Sequence, residues 1–162
     1  MSKHLRFFIG GIIQGSLPDG IHSQDYRKEI AVLLRNAFPG AEVFDPIKEY
    51  PDSLSYNDAK GEAAFRDLMR RAGECDVLVA FIPEASMGTA IELWNASRNG
   101  ALVVAVSGLK RNWVVRFLSD RIVPDLPALK KFILDGGLAD AVAEKDSKRP
   151  SEPDAAVSGT EK

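Results

Sequence analysis

The chain has little cysteine and little histidine. A single cysteine, Cys75, stands among 162 residues. It excludes an internal disulfide and, alone, a thiolate metal site, and it reads as an inert buried thiol. The two histidines, His4 and His22, are isolated. No zinc set and no credible Ser–His–Asp arrangement is therefore written in the sequence. There is no basic excess either: 21 Lys and Arg face 23 Asp and Glu, for a net charge of −2. That argues against a nucleic-acid polymer as partner. No long apolar span and no signal-peptide pattern is seen, and Leu5–Ile9 starts a strand almost at once. A cytoplasmic protein with no membrane partner is expected.

What the sequence does have is one organising stretch. Cys75–Ile82 is an unbroken apolar run, apart from Asp76, rich in β-branched residues. It reads as a strand buried on both faces of a parallel sheet. A short polar loop, Pro83–Met87, then leads into Gly88–Ala96, which has helical composition. In open α/β sheets, a loop leaving the C-terminal end of a central strand is where ligands bind. Glu92 is read in the first turn of that helix, where the dipole favours a carboxylate. Ser86 and Gly88 suit a helix start that accepts an anion.

The remaining chain alternates in the same way. Leu5–Ile9 is a strand, followed by a glycine-rich loop from Gly10 to Gly20. That loop lacks the Gly-Lys-Ser/Thr of a nucleotide-binding P-loop. Apolar spacing predicts a helix over 23–36, with Ser23 as its cap and Tyr26 either in the core or reaching the crevice. Ala41–Asp45 is a short strand. Residues 46–56 form a long loop, read as a lid or base-contacting segment. A helix follows from Asn57 to about Ala72, then a buried strand at Ala101–Val106 and a short apolar helix at Trp113–Leu118. Arg121–Pro124 is an edge strand and Leu126–Leu134 the final helix. The alternation predicts a single doubly wound, flavodoxin-like α/β domain over 1–138. Its five-stranded parallel sheet has the order 2-1-3-4-5. A polar tail over 139–162 lacks the apolar surface to order itself.

Asp76–Phe81, the short loop and Gly88–Glu92 together resemble the signature of the nucleoside 2-deoxyribosyltransferase superfamily, which includes nucleoside 5'-monophosphate N-glycosidases. The resemblance spans about residues 5 to 135. It implies that Glu92 is the nucleophile that attacks the sugar C1'. It implies that the loop after the first strand, with Gly10, Gly11, Ile12 and Gln14, shapes the substrate pocket. The monophosphate hydrolases carry an Arg where this chain has Gln14. The resemblance makes Asp67 the match for a carboxylate that orients the nucleophile and helps the base depart, with Asp58 as the fallback. It implies a homodimer in which Asn112 reaches the partner's site. The position six before the nucleophile is Asp in the transferases and Ser in the monophosphate hydrolases; here it is Ser86. An uncharged hydroxyl suits a phosphate dianion that an Asp would repel, and Ser86 also suits a helix cap.

The expected activity is thus hydrolysis of a (deoxy)nucleoside 5'-monophosphate through a glycosyl-enzyme, with no metal and no cofactor. Base exchange between deoxynucleosides is the alternative. A sensor domain that binds a nucleotide without cleaving it is a third reading. Neither the base nor the choice of ribose or deoxyribose is written in the sequence.

Overall fold

The computed structural model describes residues 4–17 and 20–148. Pro18 and Asp19 of the glycine loop and residues 149–162 of the expected tail lie outside them. The chain runs β1 (Arg6–Gly11), α1 (Asp25–Ala37), β2 (Glu42–Phe44), α2 (Pro46–Glu49), a 3-10 turn at Ser53–Ser55, and α3 (Asp58–Glu74). It continues β3 (Val77–Phe81), α4 (Met87–Arg98), β4 (Leu102–Val106), α5 (Trp113–Leu118), β5 (Arg121–Val123), α6 (Leu126–Leu134) and α7 (Gly137–Ser147). The five strands are all parallel and ordered 2-1-3-4-5.

Strand periodicity divides the core into two layers. Phe7, Ile9, Val77, Val79, Leu102 and Val104 face one way and pack under Ile30, Leu34, Leu129 and Leu138. Phe8, Leu78, Ala80, Val103 and Ala105 face the other way, against Ala72, Leu93, Ala96 and Val115. Because both faces of β3 and β4 are covered, neither strand carries a polar residue. Each fully buried Leu, Phe or Val contributes roughly 1.5–3 kcal/mol of transfer free energy.

Four expectations need correction. The tail does not begin at 139: α7 continues to Ser147, with Leu138 and Ala141 buried. Gly136, with φ +85°, makes the turn between α6 and α7 that an L side chain resists. Ion pairs from Arg121 to Glu144 and from Lys145 to Asp120 hold the polar side of α7. Ser23 is not the cap of α1; that position is Gln24, and the Ser23 hydroxyl instead pairs with Asp25. Residues 46–56 are not a plain loop, since Asp45 caps the short α2. Finally, Ser86 caps α4, which starts at Met87. Glu92 is therefore in the second turn, where the helix dipole has largely faded. No described helix is long and apolar enough to cross a membrane.

Candidate functional site

Strand order reverses between β1 and β3. Their C-terminal ends lie side by side, with Gly10 opposite Ala80 and Gly11 opposite Phe81. The loops leaving them open one crevice, as such switch points do. Gly11 is required there, and Gly10 leaves little room for a side chain. A Cβ at Gly10 would lie 3.1 Å from Glu92 Oε2. Gly11 has φ +146°, and a Cβ on it would lie 2.5 Å from the Tyr26 hydroxyl. Small residues at the end of β1 thus let the α4 carboxylate lie directly on the strand.

Glu92 is only 7% exposed. The Gly11 N–H supports its carboxylate, while Oε2 has no hydrogen-bond partner among the described residues. Burial pushes the carboxyl up to about 8, against the opposing pull of Arg27 and the Gly11 N–H. Desolvation therefore outweighs the helix dipole, opposite to the sequence-based expectation.

Glu92 borders a cavity of about 340 Å³. Gly11, Gln14 and Gly15 line it from the β1 loop, and Ser86, Gly88 and Thr89 from the start of α4. Tyr50, Leu54 and Tyr56 line it from the segment between β2 and α3, and Phe65, Leu68 and Met69 from α3. The lining is aromatic and aliphatic with a few polar groups, the usual make-up of a small-molecule site. Ser86 accepts from the Thr89 N–H at 3.4 Å and from the Thr89 hydroxyl at 3.0 Å. A second cavity, of about 350 Å³, shares Gly15, Ser86, Met87 and Thr89 with the first and is lined by Asn112. The Asn112 side chain caps α5, accepting from the N–H groups of Val114 and Val115.

The crevice therefore brings together Glu92, Gly11, Gln14, Ser86 and Gly88. Gly10 and Ile12 stand behind it: Gly10 packs against Glu92, and Ile12 is buried with its carbonyl accepting from the Tyr26 hydroxyl at 3.1 Å. Asn112 belongs to the neighbouring cavity. Asp67 does not line the cavity. Its Oδ2 accepts from Tyr50 at 2.7 Å and from Arg71 at 2.8 Å, and its Oδ1 pairs with Arg70 at 2.5 Å. The Tyr50 hydrogen bond, followed by those from Arg70 and Arg71, holds the Asp67 carboxyl well below the usual range. The same bond raises the Tyr50 hydroxyl. Asp58 is the first residue of α3 and is not among the lining residues.

Two residues at or beside the cavity are not picked out by the sequence. Tyr50 is one; nothing in its local pattern separates it from a solvated loop tyrosine. Arg27 is the other, and at 1% exposure it is buried with the core. It lies on the inward stripe of α1 with Ile30, Ala31 and Leu34, where the sequence alone reads an arginine as a surface residue. Cys75 is buried, and that burial pushes its thiol up to about 12, as an inert thiol requires. Among the described residues, no group of three or more His, Cys, Asp or Glu side chains is placed to hold a metal ion.

No family model and no curated protein sequence matches the chain. Solved structures do. A 2-deoxyribosyltransferase from Bacillus psychrosaccharolyticus superposes with a TM-score of 0.59 at 14% identity, over 77% of this chain and 90% of that one. The chain shares the flavodoxin-like α/β fold of that enzyme. BlsM superposes with a TM-score of 0.57 at 17% identity, over 93% of this chain and 98% of its own. A conserved protein from Enterococcus faecalis V583 gives 0.53 at 18% identity, over 82% and 99%. The parallel 2-1-3-4-5 sheet expected from the alternation of strands and helices is thus found in the chain, and its fold is shared with these solved structures.

Proposed function

We propose that the chain hydrolyses the N-glycosidic bond of a nucleoside or deoxynucleoside 5'-monophosphate, releasing free base and sugar phosphate. The observation that carries this reading is the Glu92 carboxylate, buried at a cavity wall with Oε2 unpartnered. A carboxyl kept for structure is normally satisfied when buried. One left unpaired beside a ligand-sized cavity is placed for a reacting atom.

In its ionised form Glu92 attacks C1' of the sugar. The Oε2–C1' bond forms as the bond from C1' to the base nitrogen breaks, through an oxocarbenium-like transition state. The electron pair leaves with the base, which takes up a proton from water. A second water then adds at C1', breaks the ester and restores the Glu92 carboxylate, and the proton it sheds neutralises the hydroxide left by the first. Overall, one water is divided between sugar and base. Ser86 and Gly88, at the start of α4, receive the 5'-phosphate, since a helix N-terminus and a neutral hydroxyl both favour an anion. The aromatic and aliphatic side chains of Tyr50, Phe65 and Leu68 offer a surface for the base. Asp67 acts through Tyr50, as a positioning residue.

The shared fold supports base exchange as a second reading, with a free base replacing the second water. The protein also works as a homodimer in this proposal. Met87, Ile91 and Trp94 of α4 and Trp113 and Phe117 of α5 are all exposed, with Met87 85% and Trp113 75% open to solvent. These two helices pack together, and Met87 borders both cavities. Exposed apolar side chains clustered on adjoining helices mark an interaction surface. Incubation with each nucleoside monophosphate, with and without an added base, tests the reaction by chromatography of the free base. Release without an acceptor supports hydrolysis, and release only with one supports exchange.

A further inference from the structure

Arg27 is the largest of the fully buried side chains, and it is a cation in the core. Its Nη1 donates to the Ile9 carbonyl at 2.7 Å and its Nη2 to the Gly11 carbonyl at 3.0 Å. Its Nε donates to Gln24 Oε1 at 2.7 Å. These are neutral acceptors. The nearest ion-pair partner, Asp45 Oδ1, lies 3.6 Å away and also caps α2 by accepting from the Ile47 N–H. A guanidinium taken out of water costs several kcal/mol unless negative charge compensates it. An apolar residue on the same inward stripe of α1 would avoid that cost.

The geometry shows what the cation accomplishes. Arg27 grips the carbonyls on both sides of Gly10, the residue on which Glu92 lies. Gly11 gives its carbonyl to Arg27 and its N–H to the Glu92 carboxylate. One residue thus connects the buried cation to the buried acid. We propose that Arg27 is a positioning residue that fixes the Gly10–Gly11 end of β1 from behind and supplies the positive charge that keeps Glu92 available in its ionised form.

Other charges among the described residues do not fill that role: His22, beside the glycine loop, faces Glu84 at 2.9 Å. On α1, Tyr26 is a phenol that burial holds protonated, up to about 12. Arg6 of β1 pairs with Asp76 at the opposite end of the sheet. β4 carries no charge. On α3, Arg70 and Arg71 are engaged by Asp67, and on α5 Arg116 lies over the Phe117 ring. Cys75, before β3, is a buried thiol. Arg27 also opposes the burial of Glu92 more than the Gly11 N–H does, in agreement with the geometry.

The role rests on the reading of Glu92 as nucleophile, but its test needs no turnover. The protein is labelled with carboxyl-¹³C glutamate, and the Glu92 resonance is assigned by its loss in Glu92→Gln. Its titration is then followed in the wild type, in Arg27→Gln and Arg27→Met, which remove the charge, and in Arg27→Lys, which keeps it. Removing the charge is expected to raise the Glu92 midpoint by about one unit, a tenfold drop in the ionised fraction at fixed pH. Arg27→Lys is expected to leave the midpoint nearly unchanged while lowering turnover, because the two-carbonyl grip needs the guanidinium fork. An unchanged midpoint in either folded charge-removing variant overturns the proposal. If both variants fold at pH 5.5 and unfold at pH 9, their unfolding free energies are followed up to the highest pH at which they fold: a loss steeper than that of the wild type supports the proposal, and an equal loss overturns it. If neither folds at either pH, Arg27 is a structural brace alone and the proposal is overturned. A shifted midpoint in a protein that releases no base would refute the reaction while sustaining the role of Arg27.

Discussion

The Tyr50 hydroxyl donates to Asp67 at 2.7 Å, and only the tyrosine of this pair lines the cavity. Asp67 is further held by Arg70 and Arg71. The carboxylate therefore fixes Tyr50 as part of the cavity wall. Tyr50→Phe and Asp67→Asn are each expected to raise KM several-fold and to lower kcat by less than about tenfold, the scale of one charge-assisted hydrogen bond. The double variant is expected to be no worse than the weaker single one, because both break one unit. A thousandfold loss of kcat at unchanged KM in Asp67→Asn would instead put that carboxylate on the substrate.

Burial holds the Glu92 carboxyl up at about 8, above its ordinary 4.5. The folded state thus binds this proton more tightly than the unfolded chain. Its stabilising contribution is fully present below about pH 4.5 and is lost as pH rises through about 8. Glu92→Gln carries no such loss. Its unfolding free energy is expected to gain on that of the wild type between pH 5 and pH 9, by up to a few kcal/mol at about 1.4 kcal/mol per unit. Urea unfolding at the two pH values measures this. With the ionised form as the proposed nucleophile, kcat/KM is expected to climb with pH and level off above about 8.

Ser86 both caps α4 and borders the cavity. Aspartate caps helices as well as serine does, so Ser86→Asp is expected to keep the thermal midpoint. It also places a negative charge where the 5'-phosphate is proposed to sit. KM for monophosphates is expected to rise at least about tenfold, while any activity on unphosphorylated nucleosides is spared. An equal effect on both substrate classes would remove Ser86 from the phosphate site.

Trp113 and Phe117 meet edge to face, 6.0 Å between ring centroids, on the exposed side of α5. A charge placed in that pair opposes the burial that the proposed homodimer requires of it. The wild type is expected to be a dimer by light scattering at micromolar concentration, and Trp113→Glu a monomer with its fold intact. A wild type that is monomeric under these conditions would contradict the interface.

The strand order was legible because the runs at 77–81 and 102–106 are apolar on both faces, which only a covered parallel sheet demands. That order sets the ends of β1 and β3 side by side, so the glycine loop and the start of α4 meet in one crevice. Other features depend on contacts distant in sequence. Glu92 is one helical turn further along than its pattern implied, and its burial is set by β1. Tyr50 and Asp67 are 17 residues apart, and no local spacing relates them. Arg27 lies on an apolar stripe, where an arginine is ordinarily a surface residue. Helix α7 depends on Leu138 and Ala141 packing under the sheet, and its polar remainder resembles an unstructured tail.

The central claim is that Glu92 attacks the sugar, and Glu92→Ala tests it most directly. The measurement is release of free base from a panel of nucleoside 5'-monophosphates by wild type and variant, with binding followed in parallel by calorimetry. The wild type is expected to release base. The variant is expected to lose several powers of ten in rate while binding the same monophosphate as tightly or more tightly, since a carboxylate no longer faces the phosphate. Release of base at wild-type rate by Glu92→Ala, or no release by either protein, would contradict the account.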